Sequence, residues 1–291
     1  MILSVNKNNL WWHGKNPNII FFLACDIQES TKYKTQNLAL WMYTLNNYLN
    51  IVEKHIHKIF DELKVDNYLW KRLGDETVIA LCPRNMNDLD KIYYGAYEVF
   101  KYFSSPSTIV DFQGKFRLFC AGYHYTDSIL ILYGSGVRHD MNEFKALLKC
   151  DYSNYRNDKL LISAKPEKKR KNASHLIGDF KQYDFIGSDM DIGFRISKYS
   201  SFGKFLVSDK VAYIYENLIG KNDLVLKFNE GDVLKGVWKG HKYPKIYMIS
   251  RDQTSVKSSI KRKMEITYQH ANRLPIMHNF IKKTKQILSD Q

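Results

Sequence analysis

The sequence predicts an α/β (α+β) domain, a central mixed sheet with helices packed over it. Three observations carry this reading. Asn18-Ile19-Ile20-Phe21-Phe22-Leu23-Ala24-Cys25 is a continuous apolar run, the signature of a strand buried on both faces. Residues 37–64 contain no Gly or Pro, and Leu38, Trp41, Leu45, Tyr48, Leu49, Val52 and Ile56 recur at helical spacing. Within residues 68–81, two apolar runs flank Gly74-Asp75-Glu76, the pattern of a β-hairpin with a tight turn.

Taken in order, residues 1–17 are polar around Trp11-Trp12 and form an N-terminal arm ahead of the first strand. The long helix over 37–64 carries His55 and His57; two positions apart, they face different directions and read as surface residues rather than ligands. After the hairpin, Asn87-Asp88 caps a second helix that runs through Phe103, and Pro106 ends it. Lys115 to Thr126 alternates and is rich in aromatics, a further strand, with Ile129 to Tyr133 pairing beside it. A short strand is expected over Asp158 to Ser163. Lys165-Pro166-Glu167-Lys168-Lys169-Arg170-Lys171-Asn172 is a charge run with a breaker, read as an exposed basic loop within about 164–175. Asp191 to Tyr199 is helical, Lys204 to Ser208 a strand and Lys210 to Asn217 a helix. Leu224 to Phe228 and Gly236 to Ile249 form a closing hairpin. Residues 251–291 make a basic, helical C-terminal extension interrupted at Pro275.

Two carboxylates stand out. Asp26 ends the buried first strand and is followed by Ile27-Gln28-Glu29-Ser30-Thr31 and a helix. An Asp there can hold a cation, while backbone N–H groups of the turn and helix start hold phosphate oxygens. Asp75 sits at the hairpin tip, where a rigid carboxylate suits a hard divalent ion. Asp-Ile-x-x-Ser-Thr after a strand, then Lys71-x-x-Gly74-Asp75-Glu76 on a hairpin, resembles a class III nucleotide cyclase domain. The segment Tyr183-Asp184-Phe185-Ile186-Gly187-Ser188-Asp189-Met190-Asp191-Ile192-Gly193-Phe194-Arg195 resembles that family's Asp-x-x-Gly-x-x-Val-Asn-x-x-x-Arg block, and Lys204-Phe205-Leu206-Val207-Ser208 the strand after it. The four blocks come in family order and span residues 18–250. Gly-Asp-Glu with Asp-x-Gly-Phe-Arg is most similar to the bacterial antiphage pyrimidine cyclases of Pycsar systems.

The resemblance implies a ferredoxin-like, palm-type domain. It also implies an enzyme that turns UTP or CTP into cyclic UMP or cyclic CMP and pyrophosphate, a second messenger for a separate effector. Two Mg²⁺ or Mn²⁺ ions per site would lower the pKa of the attacking ribose hydroxyl and neutralise the triphosphate. Asp26, Asp75 and the Ile27 carbonyl would hold them. Arg195 would stabilise charge developing on the α-phosphate, its planar fork suited to phosphate oxygens. Asp191 stands where purine cyclases usually have Asn; it would accept from a ribose hydroxyl or orient Arg195 four residues on. Lys71 and Asp184 fall where adenylate cyclases read adenine, so cyclic AMP is the alternative product, whereas the bulk of Trp70 and Phe185 argues for a smaller base. Ser30, Thr31 and Lys239, with Lys242 nearby, would meet the triphosphate. Lys71 and Asp75 are close in sequence yet have different duties. The family resolves this with a homodimer whose two sites each draw residues from both subunits.

Composition narrows the classes. The net charge is +14, and 44% of the 291 residues are hydrophobic. That charge admits an anionic partner or simply a solvated surface. A basic nucleic-acid-binding module is the rival of another class; no aromatics interleave with the 165–172 charges, and it leaves Asp26, Asp75 and Arg195 unexplained. Of the four cysteines, Cys25, Cys82 and Cys120 lie in apolar strand-like runs and Cys150 outside them, with no C-x-x-C pair. The pattern fits reduced thiols in a cytoplasmic protein rather than a disulfide framework or zinc site. No stretch is long and apolar enough to span a bilayer, and no basic segment precedes an apolar one at the N-terminus.

Overall fold

The computed structural model describes residues 19–36, 38–105, 113–122, 129–132, 183–186, 188–220, 223–253 and 260–289. The expected arm at 1–17, the strand at 158–163, the basic loop at 164–175 and Cys150 lie outside them.

Seven strands form one mixed sheet. The first, β1 (Ile19–Ile27), lies between β3 (Glu76–Cys82) and β4 (Gly114–Gly122), and β2 (Asp66–Leu73) forms the edge beyond β3. On the other side, β4 is followed by β7 (Phe205–Val207), β9 (Lys245–Ser250) and β8 (Leu224–Asn229); only the β4–β7 pairing is parallel. The pair expected beside β4 belongs elsewhere: β5 (Ile129–Leu132) runs antiparallel to β6 (Tyr183–Ile186) in a separate two-stranded sheet.

Central position explains the apolar run of β1, which must be buried on both faces. Ile19, Phe21, Leu23, Cys25 and Ile27 join the main core. There they meet Trp41, Tyr48, Leu49, Val52 and Ile56 of α2 (Leu38–Glu62), the residues the helical periodicity picks out. The helix α3 (Met86–Ser104) covers the same face with Leu89, Ile92, Tyr93 and Ala96. Its cap is Asn85, two residues before the expected Asn87-Asp88: the Asp88 N–H donates to Asn85 Oδ1 (3.0 Å), and Asp88 Oδ2 accepts from the Arg84 N–H. Asp88, the third helical residue, thus donates its N–H to the cap residue and accepts the N–H of the residue before that cap, a variant of the capping box.

The second face is aromatic. Phe22 stacks on Phe119 (5.2 Å between centroids) and meets Trp70 (4.9 Å), while Phe194 lies against Trp70 and Phe119. Phe194 comes from α4 (Ser188–Arg195), which begins three residues before the expected Asp191 and passes into a 3₁₀ turn at Ile196–Tyr199. After β7, α5 (Asp209–Ile214) is capped by Ser208 and runs on through a π turn to Ile219. The closing hairpin is shorter than expected, since residues 236–244 are connection rather than strand.

The C-terminal segment folds as α6 (Ile260–His270) and α7 (Leu274–Ser289). Met264, Tyr268, Met277, Phe280 and Leu288 are buried in the main core. Pro275 does not interrupt a helix. It sits in the first turn of α7, where its missing N–H costs nothing. Cys25, Cys82 and Cys120 are free and buried, and burial pushes the Cys25 and Cys82 thiols well above their usual range.

The two histidines of α2 do face different directions, but they are half-buried rather than on the surface. His55 stacks on Tyr102 (4.0 Å) and meets Phe103 edge-on. His57 shares a hydrogen bond with Asn67 on β2 and lies 3.8 Å from Glu53. The Nε2 of His55 is buried without a hydrogen-bond partner, and desolvation, helped by the charge of Lys58, lowers its pKa. The unfolded chain therefore takes up this proton more readily. Stability contributed by neutral His55 is present above the ordinary imidazole value of about 6.5 and is lost as pH falls through the lower folded value. The fall in thermal midpoint from pH 7 to pH 5 should be smaller for His55→Phe than for the wild type.

Candidate active site

One end of the central strands gathers the charge. In the antiparallel β1–β3 register, Asp26 lies opposite Glu76, so Asp75 is the next residue beyond that pair. Gly74 takes the left-handed conformation (φ 66°) that the two-residue turn requires. Burial raises the pKa of Glu76; Arg117 opposes the shift, and the charges of Asp26 and Asp75 add to it. Both aspartates thus lie close enough to Glu76 to act on it.

Two cations that the sequence reading left without a role answer these acids. Lys115 lies directly across β1–β4 from Asp26, and its Nζ is 2.7 Å from Asp26 Oδ2. Arg117, fully buried, pairs with Glu76 and donates its Nε–H to the carbonyl of Gly193 on α4 (3.0 Å). The clue was two basic residues alternating with Phe116 and Leu118, which puts them on one face of a strand. On the same face, α4 packs without clearance: a Cβ on Gly193 would run into the Phe119 ring. The other end of α4 is tied down by Asp189, whose carboxylate meets the buried ammonium of Lys210 on α5 at 2.8 Å. Lys210 lies over the Phe280 ring of α7 (4.6 Å).

With its buried face so anchored, α4 presents Asp191 and Arg195 to solvent, one turn apart. Arg195 lies by the β8–β9 connection, its Nη2 3.8 Å from where a Cβ of Gly236 would sit. Lys239 is exposed on the same connection. Trp238 and Lys239 are both left-handed (φ 51° and 49°), a costly state for residues with side chains. Buried Trp238 braces the turn against Tyr243 (4.8 Å) and Tyr268 (5.7 Å). Lys242 does not join them, because it pairs with Glu230.

Lys71 owes its direction to a β-bulge. The β2–β3 register shifts between Leu69, opposite Ile79, and Lys71, opposite Val78. The bulge puts both Trp70 and Lys71 on the aromatic face, with Lys71 Nζ 4.8 Å from the Trp70 ring. Arg72 then falls on the opposite face and reaches Asn50 and Glu53 of α2. Trp70 is buried against Phe22 and Phe194, so its bulk packs the aromatic face beside Lys71. Asp184 lies on β6, opposite Ile131; its side chain and that of Phe185 lie outside the described residues.

The turn after β1 is held from its neighbours. The Gln28 N–H donates to the Gln113 carbonyl (2.8 Å), and Gln28 Oε1 accepts from the Phe202 N–H (2.8 Å). Ser30 and Thr31 open the short helix α1 (Ser30–Gln36). Ile27 is the last residue of β1, its side chain in the core. The described structure therefore unites Asp26, Asp75 and Glu76 at one sheet end and sets Arg195 by the 236–240 turn, which lies toward the opposite end of the sheet. Among the described residues no helix is long and apolar enough to cross a membrane.

No protein-family model matches the sequence, and no curated protein matches it. Solved structures similar in shape include the guanylate cyclase domain of RhGC from Catenaria anguillulae in complex with GTP, at 13% identity and a TM-score of 0.46, covering 81% of this chain and 98% of that one. The adenylyl cyclase CyaB from P. aeruginosa has 12% identity and a TM-score of 0.47, covering 80% and 94%. Adenylate cyclases from Trypanosoma brucei, in their monomeric state, have 14% identity and a TM-score of 0.45, covering 80% and 90%.

Removing Glu76 should be costly, because it leaves the buried Arg117 charge without its carboxylate. Glu76→Ala is expected to lose about 3–5 kcal/mol. The double variant with Arg117→Met should recover much of that, as read from urea unfolding.

Proposed function

We propose that the protein is a nucleotide cyclase that converts a pyrimidine nucleoside triphosphate, UTP or CTP, to the 3′,5′-cyclic monophosphate and pyrophosphate. The observation that carries the reading is the β1–β3 register, which sets Asp26 and Asp75 at one end of adjacent strands. The donors there are hard oxygens, and Asp26 already accepts a cation, the Lys115 ammonium, at 2.7 Å. Such a set fits Mg²⁺ or Mn²⁺. Asp26, Asp75 and the Ile27 carbonyl would hold the two ions, which when bound acidify the ribose 3′-hydroxyl and neutralise the triphosphate.

The chain's own residues would do the rest. The 3′-hydroxyl gives up its proton to solvent, and its oxygen forms a bond to the α-phosphorus as the bond to the β-phosphate oxygen breaks and pyrophosphate leaves. Arg195, exposed on an α4 anchored through Asp189 and Gly193, is suited to meet the charge that builds on the α-phosphate. Asp191, one turn earlier, would orient Arg195 or accept from a ribose hydroxyl. Lys239 and the backbone N–H groups at Ser30 and Thr31 would meet the remaining phosphate oxygens. Lys71, turned to the site face by the bulge, and Asp184 would read the base.

The carboxylates lie at one end of the central strands and Arg195 beside the β8–β9 connection at the opposite end of the sheet, which supports a homodimer with shared sites. The similarity of Gly74-Asp75-Glu76 and Asp191-Ile192-Gly193-Phe194-Arg195 to the Pycsar cyclases supports an antiphage role, with the cyclic pyrimidine nucleotide acting on a separate effector.

The test is to incubate the purified protein with ATP, GTP, CTP and UTP separately, with Mn²⁺, and resolve products by mass. Cyclic UMP or cyclic CMP alone, abolished in Asp75→Ala and reduced about 10²–10³-fold in Arg195→Ala, is the expected result. Cyclic AMP would instead assign Lys71 and Asp184 to adenine. Mixed dimers of Asp75→Ala and Arg195→Ala subunits should regain activity, because one intact site re-forms; none in verified mixed dimers would sink the shared site.

A further inference from the structure

Lys115 and Arg117 flank the proposed metal carboxylates but differ in how they are held. Arg117 is 0% exposed and bound to two separate elements, through Glu76 and the Gly193 carbonyl. Such a charge cannot leave without remaking the core. Lys115 is 21% exposed and, among the described residues, holds Asp26 alone. Its ammonium is a point charge on a flexible four-carbon stem that reaches the surface.

The contact is no chance encounter of long side chains. Asp26 and Lys115 face each other directly across β1 and β4, so strand pairing itself brings the two together. The Asp26 side chain is only 20% exposed, and a carboxylate so far out of water needs a cation. The local charges point the same way. With Lys115 withdrawn, Glu76 keeps the guanidinium of Arg117, whereas Asp26 loses its ion pair next to the Glu76–Asp75 turn, and a divalent cation would take the place of the ammonium.

We infer that Lys115 is the resident counter-ion of the carboxylate site: its ammonium neutralises Asp26 when no metal is bound and is displaced when a divalent cation enters. The inference rests on the cyclase reading of Asp26 and Asp75. Lys115 is then a positioning residue that sets the metal affinity of the site, and each binding event is an exchange of one cation for another.

The experiment is a Mn²⁺ titration without nucleotide, following the paramagnetic resonance signal of the free ion. Lys115→Met should bind Mn²⁺ about tenfold more tightly than the wild type, because the competing charge is gone. Lys115→Arg, which keeps a cation, should stay near wild type, and Asp26→Asn should lose the site. Thermal midpoints give a second readout: Lys115→Met should melt lower without metal and gain more from Mn²⁺. Lys115→Gln serves if the Met variant does not fold. Wild-type binding with equal or weaker binding in Lys115→Met overturns the counter-ion role and leaves the carboxylate site standing. Binding that survives Asp26→Asn overturns it too, since the ion then sits elsewhere. No Mn²⁺ bound by wild type or Lys115→Met removes the carboxylate reading and this inference with it.

Discussion

A single buried guanidinium joins the three parts on which the site depends. Arg117 sits on β4, holds Glu76 on β3 and donates to the backbone of α4 at Gly193. Taking such a charge out of water is expensive unless its partners are in place, so the seating of α4 on the sheet and the ion pair with β3 support each other. The aromatic face follows from this. Phe119 and Phe194 lie 5.8 and 5.9 Å from the guanidinium and close over it. The bare backbone at Gly193 lets α4 come near enough for the carbonyl to accept.

A second buried ion pair fixes the other end of α4. Lys210 reaches Asp189 from α5, and Phe280 of α7 covers it. The C-terminal helices therefore do more than add basic charge to the surface. Met264, Tyr268, Met277 and Phe280 go into the core, while Lys261, Arg262, Lys263 and Lys282 stay outside. Much of the basic character of this segment is the solvent face of two amphipathic helices. The outcome for α4 is a rigid helix with Asp191 and Arg195 on its free side, as preorganised phosphate chemistry would need.

The elements easiest to read were those with one dominant physical signal. β1 is apolar on both faces because it is central, and α2 is periodic because one stripe meets the core. Local pattern misleads where two signals compete or where partners are far apart in the chain. Asn87-Asp88 has the composition of a cap, yet Asn85 caps the helix by accepting from the Asp88 N–H, and the Asp88 carboxylate accepts from the Arg84 N–H. Ile129 to Leu132 looked like the neighbour of β4 but pairs with Tyr183 to Ile186, more than fifty residues on. His55 and His57, two positions apart on one helix, read as surface residues because they face different directions; α3 and β2 supply Tyr102 and Asn67 from elsewhere in the chain.

The same division runs through the site. The sequence by itself determined the chemistry on offer: Asp26 at the end of a buried strand, Asp75 at a hairpin tip, and Arg195 four residues after Asp191. These follow from local patterns, a run that ends, a turn that glycine permits, a helical repeat. Only the tertiary structure decided what faces what. The bulge at Trp70 turns Lys71 to the side of Asp26 and Arg72 away from it. The β1–β4 register sets Lys115 on Asp26, and the seating of α4 buries Arg117. Strand register reverses a side chain with a shift of one residue, and it is set by pairings between distant segments, which no local pattern encodes.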